Sequence, residues 1–163
     1  MTTISEFSTP SDTEIRVVRS FAADLDTVWT AWTQAEHLKN WWAPDGLTTP
    51  ICEVDLRPGG TWFYVMEDGE GNRYAGKVIY GEIDAPRCFT GVDVFTDEDG
   101  NSNDELPTAH TAYEFEEANG ETIVSNVTRY DTKEARDQVI EMGVEAGLMS
   151  CLAKLDKYLA SLG

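Results

Sequence analysis

Basic residues are scarce in this chain: 12 Lys and Arg stand against 30 Asp and Glu, a formal net charge of −18 over 163 residues. So acidic a surface repels nucleic acid and anionic membranes, because phosphate binding needs clustered cations. Neither partner is expected. Histidine is scarcer still. His37 and His110 have no ligand partner at helical or hairpin spacing, so no metal is expected, and nothing implies a cofactor. Cys52, Cys88 and Cys151 show no CxxC and no even count. That pattern reads as reduced, buried thiols of a cytoplasmic protein, not as a disulfide framework. No apolar run approaches the ~20 residues of a membrane span. Met1–Asp12 is polar and holds no signal-peptide core.

Aromatic residues, by contrast, are crowded. Trp29, Trp32, Trp41 and Trp42 are four of the five tryptophans, and all lie between Val28 and Trp42. Each is a large apolar surface with one N–H that needs a partner. Such density implies either an aromatic core or the wall of an apolar cavity. Hydrophobic content of 41% argues against disorder, and the length suits one domain, assigned to residues 14–163 behind a flexible leader, 1–13.

The periodicity then sets the order of elements. Glu14–Phe21 reads as a strand. Asp24 can cap a short helix whose apolar positions are Leu25, Val28, Trp29 and Trp32, and Thr33 with Glu36 forms a capping box for a second, to about Trp42. Six strands follow: Leu47–Leu56, Thr61–Glu67, Arg73–Ile83, Arg87–Phe95, Thr108–Glu116 and Glu121–Tyr130, the last two joined by Asn119-Gly120. From about Thr132 the period becomes helical, with apolar steps at Ala135, Val139, Met142, Ala146, Met149 and Ala153. One unbroken helix to Leu162 would be ~45 Å long at ~1.5 Å per residue. The class is α+β: a seven-stranded curved antiparallel sheet around a long C-terminal helix, with two short helices between strands one and two. A curved sheet wrapped on one helix leaves a gap between them.

Val28-Trp29-Thr30-Ala31-Trp32-Thr33, Glu36-His37-Leu38, Trp41-Trp42, Asp55-Leu56-Arg57-Pro58-Gly59-Gly60, Glu82-Ile83-Asp84-Ala85-Pro86-Arg87 and Leu155-Asp156-Lys157-Tyr158-Leu159 occur here in that order. Together they resemble the START-like, helix-grip superfamily (SRPBCC), the fold of the birch-pollen allergen and of polyketide cyclases. More narrowly they resemble the subfamily named for the activator of a heat-shock-chaperone ATPase. The resemblance implies a hydrophobic cavity and, in some relatives, cyclase, hydrolase or ligand-sequestering roles. It supplies no universal catalytic residues.

Alternation places Trp62, Tyr64 and Met66 on one face of their strand, and Thr111, Tyr113 and Phe115 on one face of theirs. Trp62, Tyr64, Met66, Tyr113 and Phe115, with Trp32, Trp41, Trp42, Met142 and Met149, are the candidate cavity wall, core packing being the plain alternative for each. Gly143, Gly147 and Ser150 form a stripe of small residues in the last helix. Interior glycines cost ~1 kcal/mol each relative to Ala, so the stripe serves either close packing or room for a ligand. Glu82 and Asp93 lie in apolar strands, where an inward carboxylate would titrate high and could act as acid or base. Three readings stand: binding of a small hydrophobic or amphipathic ligand between sheet and helix, by a monomer or homodimer; a cavity enzyme acting on an aromatic or polyketide-like substrate; and a protein-interaction module related to the chaperone activator.

Overall fold

The computed structural model describes residues 4–162. Eight strands form one antiparallel sheet: β1 (Ser5–Ser8), β2 (Glu14–Phe21), β3 (Leu47–Val54), β4 (Thr61–Asp68), β5 (Arg73–Asp84), β6 (Cys88–Thr96), β7 (Ala109–Ala118) and β8 (Glu121–Tyr130). Their spatial order is β1-β2-β8-β7-β6-β5-β4-β3. Helices α1 (Leu25–Thr33) and α2 (Ala35–Leu38) separate β2 from β3, and α3 (Lys133–Glu141) and α4 (Val144–Leu162) follow β8.

The strand count is therefore eight, where the sequence pattern implied seven. The extra strand lies in the segment expected to be a leader. Its four residues pair with the free edge of β2, Ser5 opposite Arg19 and Ser8 opposite Arg16. Ser-Glu-Phe-Ser has no alternation of its own, so the available edge is what orders it. Ser20 Oγ accepts the Ile4 N–H at 2.8 Å, and Phe7 packs on the core. Residues 1–3 of the expected leader lie outside the described residues.

The last segment is two helices, not one. Gly143 adopts φ +90° and stops α3 one residue after Met142. L side chains avoid that conformation, which makes glycine the usual residue past a helix end. The break re-phases the apolar stripe. Met142 is 52% exposed, while Cys151, Leu152, Leu155 and Leu159 form the buried face of α4. Thr132 caps α3 by accepting the Ala135 N–H at 3.1 Å, and one helix start moves. The Thr33 hydroxyl donates to Trp29 O at 2.7 Å and caps nothing, so α2 is a single turn.

Turns between strands are glycine-dependent where the chain doubles back hardest. Gly59 has φ +81°, and a Cβ on Gly60 would sit 2.1 Å from Asp55 O. The Arg57 guanidinium braces this turn against Asp55 at 2.7 Å. The acidic loop after β6, a central strand, turns onto the outer face, where Gly100 O accepts from Lys77 Nζ at 3.1 Å.

The inner face of the sheet, the short helices and α4 enclose the main core. At one end it is wholly aromatic and aliphatic: Trp29 meets Phe115 edge-on at 5.1 Å and Phe89 at 6.0 Å, with Phe21, Val28 and Leu155 fully buried nearby.

Candidate functional site

Register defines what faces the interior. Tyr64 opposes Gly76, Trp62 opposes Val78, Val78 opposes Asp93, and Asp93 opposes Ala109. Phe89, four residues before Asp93 on an unbroken stretch of β6, stacks on Tyr113 at 4.7 Å inside the core. Successive side chains alternate faces, so Asp93 shares that inner face. Its neighbours there are of two kinds: Gly91 precedes it on the same face, Val78 and Ala109 flank it and Gly76 lies diagonally opposite, while Phe95 follows it and Tyr80 is the other diagonal neighbour. Gly76 has a specific role: a Cβ would fall 2.6 Å from the Tyr64 hydroxyl, so its absence lets the tyrosine lie flat across the sheet beside Asp93.

The aromatic wall is continuous. Trp42 contacts Trp62 at 4.8 Å and Tyr64 at 5.8 Å, and Trp32 reaches Trp42 at 6.1 Å, Trp41 at 4.6 Å and Tyr113 at 5.1 Å. The Trp41 indole donates to Ala31 O at 3.1 Å. The other three do not: the buried Nε1 atoms of Trp32, Trp42 and Trp62 have no partner, nor does the Tyr80 hydroxyl. Trp42 leans toward the Tyr64 hydroxyl and Trp62 toward the Cys52 thiol, without closing a hydrogen bond in either case.

Asp93 is partly buried, and among the described residues no hydrogen bond or cation reaches its carboxyl. Loss of solvent pushes it up to about 6. Burial also pushes up the hydroxyls of Tyr64, Tyr113 and Tyr130, and the Asp93 charge adds to each. Beyond these, the inner face carries a polar network that sequence reasoning missed. Asn126 donates to the Thr111 hydroxyl at 2.7 Å and to Ala112 O at 3.1 Å, and Thr111 and Thr128 share a hydrogen bond at 3.2 Å. Arg19, on the inner face of β2, pairs with Asp156 of α4 and lies 5.6 Å from the Phe21 ring centre. Arg19 sat at an inward-parity position of its strand, which was the available signal; its partner is 137 residues away.

Other expected residues fall elsewhere. Glu82 is exposed, because the β5 register shifts between Tyr80 and Ile83 and turns it outward. Phe115 belongs to the core under α1. Met66 and Met149 are half-buried, and Met142 is exposed on the elbow between α3 and α4. Gly143 is the break itself. Gly147 faces the loop after α2, where its Cβ would lie 3.5 Å from Pro44, and Ser150 Oγ accepts the Asp45 N–H at 3.0 Å. Gly147 and Ser150 therefore face that loop.

The tryptophans fill most of the space they were expected to surround. Between sheet and α4 the remaining void is about 10 Å³, lined by Val17, Arg19, Trp32, Tyr113, Val124, Asn126, Leu148 and Leu152, which is room for about one water. A separate groove of about 520 Å³ opens on the surface between the β2–α1 turn, His37 and the C-terminal end of α4. In it His37 Nδ1 is 2.6 Å from the Tyr158 hydroxyl. All three cysteines are free, and burial pushes the Cys52 thiol up to about 11 and Cys151 up to about 12, which makes neither a ready nucleophile. Among the described residues no three His, Cys, Asp or Glu converge on a possible metal position, and no helix is long and apolar enough to cross a membrane.

Comparison with known proteins bears on this arrangement. The profile of the family described as Activator of Hsp90 ATPase homolog 1-like protein matches residues 22–160. The crystal structure of protein Ms6760 from Mycobacterium smegmatis is 32% identical, with a TM-score of 0.86 over 96% of each chain. A solution structure of a protein from Staphylococcus epidermidis is 28% identical, with a TM-score of 0.83 over 95% of this chain and 94% of its own. One from Arthrobacter aurescens is 25% identical, with a TM-score of 0.86 over 96% of this chain and 91% of its own. No curated protein matches.

Proposed function

We propose that this chain, which belongs to the Activator of Hsp90 ATPase homolog 1-like family, binds a small amphipathic molecule with an aromatic or alicyclic body. The fold is of a ligand-binding type. The ligand would lie against the inner face of β4 to β8, beneath the elbow between α3 and α4. One observation carries this reading. Three neighbouring indole N–H groups and one carboxylate face the interior without partners. A buried donor left unmade costs about 1–3 kcal/mol, and a core needing only bulk would use Phe or Leu there at no such cost. A ligand with apolar bulk and a few polar atoms supplies what these groups lack.

Entry needs movement, because the void is small. The elbow is where movement costs least. Gly143 has no atom within 4 Å of where its Cβ would be, and residues 144–150 are half-buried or exposed, whereas the burial that anchors α4 lies from Cys151 to Leu159. Lifting the first two turns of α4 would expose little apolar surface.

Catalysis is the second reading, and one observation favours it. A carboxyl at about 6 is poised to exchange protons near neutrality, so Asp93 could serve as acid or base toward a bound aromatic substrate. The interaction-module reading finds less support: the large exposed apolar residues, Ile4, Leu56, Tyr74, Met142 and Leu162, come from five separate places along the chain.

Titration with a neutral probe such as N-phenylnaphthylamine, followed by NMR of the indole N–H signals, tests the site. Saturable binding of one probe per chain should shift the Trp32, Trp42 and Trp62 signals and leave that of Trp41, already bonded to Ala31 O, largely unmoved. No saturable binding, or shifts confined to the His37 groove, would overturn the proposal.

A further inference from the structure

We propose that the molecule held at this inner face is an organic cation, an amine on an apolar aromatic or alicyclic body, and that Asp93 is its anchoring residue. This inference rests on the binding reading above and adds to it the sign of the ligand's charge. Four observations converge. The carboxylate has no cation and no hydrogen-bond donor among the described residues. The one inward arginine is already committed, since Arg19 is paired with Asp156. The residues beside Asp93 on that face are small at Gly91, Val78, Ala109 and, diagonally, Gly76, and aromatic at Phe95 and, diagonally, Tyr80, so the carboxylate stands on a low floor edged by rings. Around that floor stand Tyr64, Tyr113 and the edge-packed tryptophans, whose π-faces attract cations. A charge-assisted bond to an ammonium would satisfy the carboxylate, and the aromatic faces would replace the water that the cation gives up. The net charge of −18 raises the local concentration of cations at the surface and disfavours an anionic ligand.

Among the described residues no other titratable group facing Asp93 competes in the working range. Tyr64 on β4, Tyr80 on β5, Tyr113 on β7, Tyr130 on β8 and Cys151 on α4 are all pushed up by burial and stay neutral there. From α3 the residues packed on the core are Ala135, Val139 and Ile140, and its Arg136 is held by Asp137 and Ser11 O.

The test uses one aromatic body with three charges: naphthylmethylamine, naphthylmethanol and naphthoate, titrated by tryptophan fluorescence at about pH 7.5. The cation should bind at least about tenfold more tightly than the alcohol, and the carboxylate most weakly. Asp93→Asn should bring cation and alcohol to about equal affinity while leaving the alcohol's affinity intact, and the wild-type preference should fade as pH falls below about 6. Equal affinity of cation and alcohol for the wild type, or a preference that survives Asp93→Asn, would overturn the cation assignment while the binding site stands. Failure of all three compounds to bind would overturn both.

Discussion

Asp93→Asn is also the sharpest probe of the structure without any ligand. In the folded protein the carboxyl titrates at about 6 rather than 3.8, and burial is the cause. Ionised Asp93 is thus a penalty on folding. At 1.36 kcal/mol for each pH unit, the displacement from 3.8 to about 6 amounts to about 3 kcal/mol at neutral pH. Because water reaches part of the side chain, on the order of 2 kcal/mol is the better figure. The sign follows from proton counting. Below pH 3.8 both states hold the proton and the penalty is absent. Between 3.8 and about 6 the folded state holds it and the unfolded state does not, so stability falls as pH rises. Above about 6 the penalty is complete. The amide cannot ionise and should escape it. Urea unfolding of both proteins from pH 4 to pH 8 is the assay. The stability of Asp93→Asn relative to wild type should rise by about 2 kcal/mol across that range and level off above about pH 6.5. Using the difference cancels the opposite trend from Asp24, Asp68, Asp97 and Asp137, whose local hydrogen bonds hold them low. A difference that does not vary with pH would mean that Asp93 is solvated and does not face the interior.

The helical elbow and the thiols give further tests. Gly147→Ala should stabilise by up to about 1 kcal/mol, since its Cβ meets Pro44 at an ordinary 3.5 Å and helix propensity improves; Gly147→Leu should destabilise by about 1–3 kcal/mol through overpacking against the same proline, both read by thermal melting. Gly143→Ala should cost about 1–2 kcal/mol although nothing lies near its Cβ, because φ +90° is unfavourable for an L residue; an unchanged melting temperature would mean that α3 and α4 are one helix in solution. At pH 8, alkylation in the folded protein should run roughly a hundredfold slower than for an unperturbed thiol at Cys52 and roughly a thousandfold slower at Cys151, with thiols raised to about 11 and about 12. Rapid labelling of all three cysteines would contradict their burial.

Much of this fold is legible in the sequence because its strands are short, alternate clearly and end at glycine turns. Parity alone put Trp62 and Tyr64 together, and Thr111 with Tyr113, and the sheet keeps both pairs on its inner face. What escaped has local causes. β1 has no pattern of its own and is ordered by an edge that only the folded sheet creates. The apolar period of the C-terminal segment runs through Gly143 without a fault, so the break depends on a backbone angle that periodicity does not register. The same break turned a supposed ligand-facing stripe toward Pro44. Glu82 and Asp93 looked alike as carboxylates in apolar strands. A register shift separates them, and Phe89 and Phe95, both an even number of residues from Asp93, were the clue that it faces in.

The interior is divided, and the division is the strongest argument for where function resides. At the Trp29–Phe115 end, the buried threonine hydroxyls are bonded: Thr33 to Trp29 O and Thr122 to Ala23 O, both within 2.8 Å. The side chains between them are apolar, and the anchoring residues of α4 lie over them. Toward Asp93 the rules change together. Indole donors go unpaired, a carboxylate lacks a cation and glycines replace side chains on the inner face. Each departure weakens the fold by itself, and a chain selected for stability alone would have no reason to gather them at one end. Locally inconsistent choices concentrate where a protein does something other than fold. The relative that shares 32% of residues over 96% of the chain shares the container. On the reading proposed above, the charge and shape at Asp93 would decide what this chain puts in it.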